Sequence, residues 1–321
     1  MKEISVLDIE GIRIGQAEDI VGGTGVTVFI SETGMAAGLD VRGGGPASRE
    51  SELLKPLAYA DKIHAVVLGG GSAYGLDAAG GVMEYLSERG IGFDVGVAVV
   101  PLVCQSDLFD LTVGDVNARP DKQMGYAACV ASEHGGNYRD GNHGAGIGAT
   151  VGKLHGMKDC MKSGIGSYAV QLGEVKLGAI AAVNALGDVY DHKTGRPVAG
   201  MLNKEHTMLL NSAEAMYERT EVVENRFVSN TTLGVVFTNA RFDKTRLCKI
   251  AAMAQDGYAR AIRPVHTSAD GDSIYALSLG DIAADQDMIG TLAADVMAEA
   301  ILRAVQHAES AYGYTALRDL K

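Results

Sequence analysis

The sequence predicts a layered α/β sandwich. Strand and helix signals alternate from end to end, with no linker and no low-complexity segment. Several short apolar runs are hydrophobic on both faces, the pattern of strands covered on two sides. Long helical patterns close the C-terminal third, which fits layers of helix on sheet better than a bundle or an all-β fold. No internal repeat is found, and by length the 321 residues could be one large domain or two ordinary ones.

The first clear strand is Ala65-Val66-Val67-Leu68, which breaks at Gly69-Gly70-Gly71. A helix follows over Tyr74–Leu86, where Leu76, Ala79, Gly80, Met83 and Leu86 recur at a spacing of three and four. Ile91–Val100 reads as another strand, stopped by Pro101. Residues 137–152 are glycine-dense and polar, a loop that runs close to something. Gly178–Val183 reads as a strand buried on both faces. An apolar strand runs from Thr231 to Phe237. The helix after it starts near Asp243 as N-cap, with Leu247, Ile250, Ala251, Ala254, Tyr258 and Ile262 on its apolar face. Ser273–Ser278 is a further strand, and Gln286–Gln306 makes a long alanine-rich closing helix.

Hydrophobic residues make up 47% and charged residues 21%, enough for a sizeable core and too apolar for disorder. The 42 glycines, set against 6 prolines and lacking a collagen period, signal tight turns and close backbone approaches. A net charge of −12 without a basic cluster argues against nucleic acid as a partner. Met1–Val6 carries no apolar run of signal-peptide length and no run of 18 apolar residues occurs, so no membrane span is expected. Cys104, Cys129, Cys160 and Cys248 lack CxxC spacing and read as reduced, mostly buried thiols of a cytoplasmic protein, with Cys104 placed on a loop where reactivity is worth watching.

The glycine-rich segments do not meet the nucleotide fingerprints. Gly152-Lys153 is followed by Leu154 and has Ile147 where a phosphate loop needs its first glycine; Gly69-Gly70-Gly71 reaches Tyr74 where the third glycine of a dinucleotide site belongs. The same Tyr74 ends any serine-hydrolase elbow around Ser72. The eight histidines show no metal-ligand spacing, and His134 and His143 beside the glycine-dense loop read as surface or packing residues.

Asn230-Thr231-Thr232-Leu233-Gly234-Val235-Val236-Phe237 carries two readings. Thr231 is either a β-branched residue opening a buried strand or a nucleophile. A threonine hydroxyl needs an adjacent base, and its own α-amine serves if the chain is cut between Asn230 and Thr231. An unperturbed α-amine titrates at about 7.7–8, so it accepts that proton near neutral pH. Asp270-Gly271-Asp272 sets two carboxylates on one tight turn, either solvated or holding the ammonium and hydroxyl of such a threonine. Asn184, ending a buried strand, can donate to a developing oxyanion, and Lys153 can add positive charge.

These residues sit in blocks that resemble a known family: Arg42-Gly43-Gly44-Gly45-Pro46 with Arg49-Glu50, Leu68–Ala79, Gly144–Lys153, Val183–Val189, Asn230–Val236 and Asp270-Gly271-Asp272. In this order, over nearly the whole chain, they look like the L-aminopeptidase/D-alanine-esterase/amidase family, which includes the β-peptidyl aminopeptidases. The Asp-Gly-Asp turn and the threonine are most similar to the nylon-oligomer (6-aminohexanoate-oligomer) endo-hydrolase branch. The aminopeptidase branch usually has serine at the nucleophile and at the first aspartate.

The resemblance implies a four-layer αββα sandwich like that of N-terminal-nucleophile hydrolases, with altered connectivity. It implies a single domain, residues 1–321, cut into a large subunit, 1–230, and a small subunit, 231–321, that assembles into a homo-oligomer. Thr231 would be nucleophile and base, Asp270 and Asp272 would orient it, and Asn184 and Lys153 would line the site. Phe109 stands where relatives carry a substrate-contacting tyrosine. The expected activity is hydrolysis of peptide or peptide-like amides through an acyl-enzyme, with no metal or organic cofactor needed. Two alternatives stand beside it: an acyltransferase of the ornithine-acetyltransferase type, and an unprocessed, non-catalytic family member.

Overall fold

The structure, a computed structural model, describes residues 1–135, 137–219 and 230–320. Ten strands build its main β structure: β1 (Lys2–Ile4), β2 (Arg13–Asp19), β3 (Thr24–Val41), β4 (Ala47–Arg49), β5 (Ile63–Gly69), β6 (Val103–Asp107), β7 (Ile165–Leu172), β8 (Val175–Asn184), β9 (Thr231–Ala240) and β10 (Ser273–Ile282). The helices are α1 (Ala78–Glu88), α2 (Lys122–Ala131), the short α3 (Ser212–Tyr217), α4 (Lys244–Ala261) and α5 (Gln286–Gln306).

The strands form two layers joined through β3. One layer runs β1-β7-β8-β9-β10-β3 and the other β2-β3-β5-β6-β4. The 18-residue β3 serves both: its first half pairs with β2 and β5, its last six residues pair with β10, and the register breaks between Ile30 and Met35. Neighbours are antiparallel except β9 with β10 and β5 with β6. A parallel pair needs a long crossover, and α4 supplies it between β9 and β10.

Alternation of side chains decides which residues enter which layer. Leu233, Val235 and Phe237 of β9 point between the sheets, with Phe29, Val66, Leu68, Ile180 and Tyr275, while Val236 faces α4 and α5. The helices α1 and α2 cover the other sheet through Ala79, Val82, Leu86 and Ala128 against Val28 and Val67. The layers are therefore helix, sheet, sheet, helix, the αββα sandwich expected. Close approach explains part of the glycine content: a Cβ on Gly38 of β3 would lie 2.2 Å from the backbone nitrogen of Cys248 in α4.

The helix bounds at Gln286–Gln306 and the Asp243 cap agree with expectation, the Asp243 carboxylate accepting the Arg246 N–H at 2.9 Å. Three expectations are corrected. Ile91–Val100 is not one strand but a small hairpin, Phe93–Asp94 against Val99–Val100, turned at Gly96 and exposed. The Tyr74–Leu86 helix begins as a 3₁₀ stretch, Ser72–Asp77, and becomes α-helical only at Ala78. Cys104 lies inside buried β6 rather than on a loop, and burial pushes its thiol up to about 12, so it is not reactive. The four cysteines are free, with Cys248 alone among them half-buried. Among the described residues no helix is long and apolar enough to cross a membrane.

Candidate active site

The central place of β9 brings the sequence-selected residues together. Its first residue, Thr231, is paired with Asn184 at the end of β8 on one side. On the other side Asn230 bridges to Asp270, just ahead of β10. Residues from three distant stretches thus meet at one end of one sheet, with Thr231 only 3% exposed.

The Thr231 hydroxyl donates to the carbonyl oxygen of Asn230, the residue before it. The Gly271 N–H points at both atoms, 3.1 Å from the Asn230 oxygen and 3.2 Å from Thr231 Oγ1. Glycine lets the two approach this closely, because a Cβ would stand 2.6 Å from Thr231 Oγ1 and force the hydroxyl to shift. The turn is held from outside by Arg42–Gly45: the Gly45 N–H donates to the Asp270 carbonyl at 2.8 Å and the Arg42 N–H to the Asp272 carbonyl at 3.0 Å. This gives the Arg-Gly-Gly-Gly-Pro block a physical role, since bulkier residues would not let the two backbones touch.

Both aspartates of the turn are buried, not solvated. Asp272 Oδ1 accepts the Thr232 N–H at 2.7 Å, and its Oδ2 faces the His266 ring at 2.8 Å and the His266 N–H at 3.1 Å. Asp270 Oδ2 accepts from Thr267, from its N–H at 2.7 Å and its hydroxyl at 2.5 Å. Burial, and then the nearby Asp272 carboxylate, push the Asp270 carboxyl up to about 6.

Lys153 is fully buried, and its ammonium donates to Asn184 Oδ1 at 2.7 Å and to the Asn184 carbonyl at 2.9 Å. Burial brings it down to about 7, opposed by Cys160, Asp270, Asp110 and Asp272. Asn184 Oδ1 also accepts the Thr150 N–H at 3.1 Å, and its amide nitrogen donates to the Phe109 carbonyl at 2.8 Å. Phe109 thus touches the site through its backbone, its side chain remaining half-buried. Beneath the glycine-dense segment the buried Lys162 ammonium donates to the Ala149 carbonyl at 2.9 Å, which turns those polar residues into a pinned wall rather than a loose loop.

The structure therefore gathers Thr231, Asn230, Asp270, Asp272, Asn184, Lys153 and the Phe109 backbone. Reading the sequence missed His266, Thr267 and the Gly271 N–H. The spacing Thr267-x-x-Asp270 was a visible signal, since a hydroxyl three residues from a carboxylate closes such a turn. His266 had no comparable signature.

Comparison with known proteins defines the class first. The fold matches a solved L-aminopeptidase D-Ala-esterase/amidase from Ochrobactrum anthropi, described as a variant of the Ntn hydrolase fold, with a TM-score of 0.71 and 16% identity over 95% of this chain and 86% of that one. A Burkholderia sp. β-aminopeptidase matches with a TM-score of 0.68 and 18% identity over 98% of this chain and 90% of that one. The chain belongs to peptidase family S58, whose model matches residues 5–318. It is 37% identical to an uncharacterized aminopeptidase of Mycobacterium leprae, over 96% of this chain and 92% of that protein. It is 29% identical to a 6-aminohexanoate-oligomer endohydrolase of Agromyces sp., over 94% of this chain and 86% of the relative. The protein is accordingly a hydrolase acting on amide bonds.

Proposed function

We propose that the protein cuts itself between Asn230 and Thr231 and then hydrolyses peptide-like amides with the freed N-terminal threonine. The observation that carries this reading is the hydroxyl of Thr231 lying against the carbonyl of Asn230 with the Gly271 N–H shared between them. A nucleophile beside a carbonyl, and a donor already on that oxygen, is the arrangement acyl transfer needs.

In maturation Thr231 Oγ1 attacks the Asn230 carbonyl carbon, and the oxyanion forms where the Gly271 N–H points. Collapse breaks the C–N bond, the nitrogen takes a proton, and an ester joins Asn230 to the Thr231 oxygen. Water hydrolyses that ester and leaves the α-amine of Thr231 as a base beside its own hydroxyl. In turnover the same oxygen attacks a substrate amide, the amine takes the hydroxyl proton and passes it to the leaving amine, and water releases the acyl group. Asp270 and Asp272 hold the strand end in place, and Lys153 with Asn184 forms the opposite wall.

The cleaved pair assembles into a homo-oligomer in this reading, supported by the exposed apolar hairpin, where Val97 is 94% exposed and Phe93 meets the 90% exposed Tyr59 edge-on at 6.3 Å. An isolated two-stranded ribbon is marginal in water, and a second copy would cover it. Substrates are amides of short peptides, β-peptides, D-amino acids or ω-amino-acid oligomers, the last suggested by the relative named for 6-aminohexanoate oligomers. Intact-mass analysis tests the reading directly: it expects fragments 1–230 and 231–321, followed by hydrolysis of at least one of the four amide classes. A cut elsewhere with activity retained overturns it.

A further inference from the structure

Asp272 does not reach Thr231 itself. Its contact with the strand is the N–H of Thr232, one peptide beyond the threonine oxygen. The other oxygen of the same carboxylate is held by His266. That residue delivers two donors to the same oxygen, its main-chain N–H at 3.1 Å and its ring Nδ1 at 2.8 Å. The backbone of His266 has φ 57°, a left-handed conformation that turns the N–H and the ring to one side. The ring is stacked on Tyr258, with centroids 5.9 Å apart and planes at 25°. Tyr258 donates through its hydroxyl to the carbonyl of Ser273, the residue after Asp272. The contacts close a circuit from α4 through the imidazole to the start of β10.

With the proton on Nδ1, the ring donates to Asp272 Oδ2. Ring and carboxylate are both largely removed from water, with the side chains 17% and 1% exposed. A charge-assisted bond in that setting defines one orientation of the acceptor.

We propose that His266 is a positioning residue of the catalytic centre: through Asp272 it fixes the Thr232 amide and so the placement of the Thr231 hydroxyl. The inference rests on the reading of Thr231 as nucleophile. His266 touches no reacting atom, and its effect is on geometry.

Two substitutions keep the left-handed backbone and differ in the donor. His266→Gly retains the main-chain N–H and removes the ring, while His266→Asn tolerates the same φ and offers a side-chain amide N–H toward Oδ2. His266→Gly is expected to slow the appearance of fragments 1–230 and 231–321 at least tenfold. In processed enzyme it should lower kcat by a similar factor with KM within twofold. His266→Asn should recover both to within threefold of wild type, and in an Asp272→Asn background His266→Gly should add less than twofold. Wild-type rates in His266→Gly overturn the proposal. So do equal losses in both variants with a parallel fall in melting temperature, which would reduce His266 to a packing residue. The parent reading fails separately: Thr231→Ala that still cleaves itself or turns over removes the nucleophile, whereas an inert Thr231→Ala beside a normal His266→Gly removes only this inference.

Discussion

Gly271→Ala is the perturbation that tests the centre with the smallest change. The added methyl would stand 2.6 Å from Thr231 Oγ1, 3.0 Å from the Gly45 carbonyl oxygen and 3.2 Å from Pro46 Cα. Ordinary contact begins near 3.4 Å, so the hydroxyl must withdraw by about 0.8 Å or rotate away. The Thr231 side chain is the softest of the three neighbours, because the other two are backbone held by the Gly45–Asp270 hydrogen bond at 2.8 Å. Overpacking of this size costs about 1–3 kcal/mol of stability, which a domain of this length survives. A misplacement approaching 1 Å costs acyl transfer on the order of 10²-fold, about 2.7 kcal/mol at the transition state. The assay is a time course of freshly purified protein by intact mass, with a melting curve run in parallel. The variant should stay folded and uncut for at least a hundred times longer than wild type. Processing at the wild-type rate would refute the assignment of Thr231 as the attacking group and of Gly271 as its neighbour in the reaction.

Thr231→Ala should remain full length and inactive, and Thr231→Ser should still process because it keeps a hydroxyl; mass spectrometry and an amide-hydrolysis assay read both. Asp270 titrates near 6 in the fold, above the ordinary range of about 3.9. Its raised value means that the folded state favours the protonated form, so its stabilising contribution is present below about 3.9 and lost as pH rises through about 6. Activity moves the other way if the ionised carboxylate is the working form: processing should climb tenfold per pH unit up to about 6 and level off above. Asp270→Asn should flatten that limb at a rate about 10²-fold below the wild-type plateau, and an unchanged profile would remove Asp270 from the centre. Brief treatment with a thiol reagent should label Cys248 and leave Cys104, Cys129 and Cys160 intact in the native protein, since burial pushes those three thiols up to about 12, 12 and 11; peptide mapping that finds Cys104 modified first would contradict its place in β6.

The sequence by itself determined the layered class and the positions of β9, α4, β10 and α5. Those features are local: apolar periodicity, an N-cap aspartate and a turn of small acidic residues each act within a few residues of chain. Thr231, Asp270 and Asp272 each had a plain structural reading on residue type alone; the ordered blocks around them, through their resemblance to a known family, made them candidates. Tertiary structure alone decided how they meet. Antiparallel pairing sets Asn184 opposite Thr231, and the parallel crossover through α4 returns Asp270 to the same sheet end. No local pattern specifies that register. The same holds for β3, whose two halves belong to different layers, and for the Ile91–Val100 run, which reads like a core strand and forms a small hairpin exposed over most of its length. Most of all it holds for His266, an ordinary residue in sequence that gains its place beside Asp272 from a left-handed turn and the face of Tyr258. Contacts between residues far apart along the chain, with energies set by burial and orientation, determine these features, and they exist only once the layers have closed.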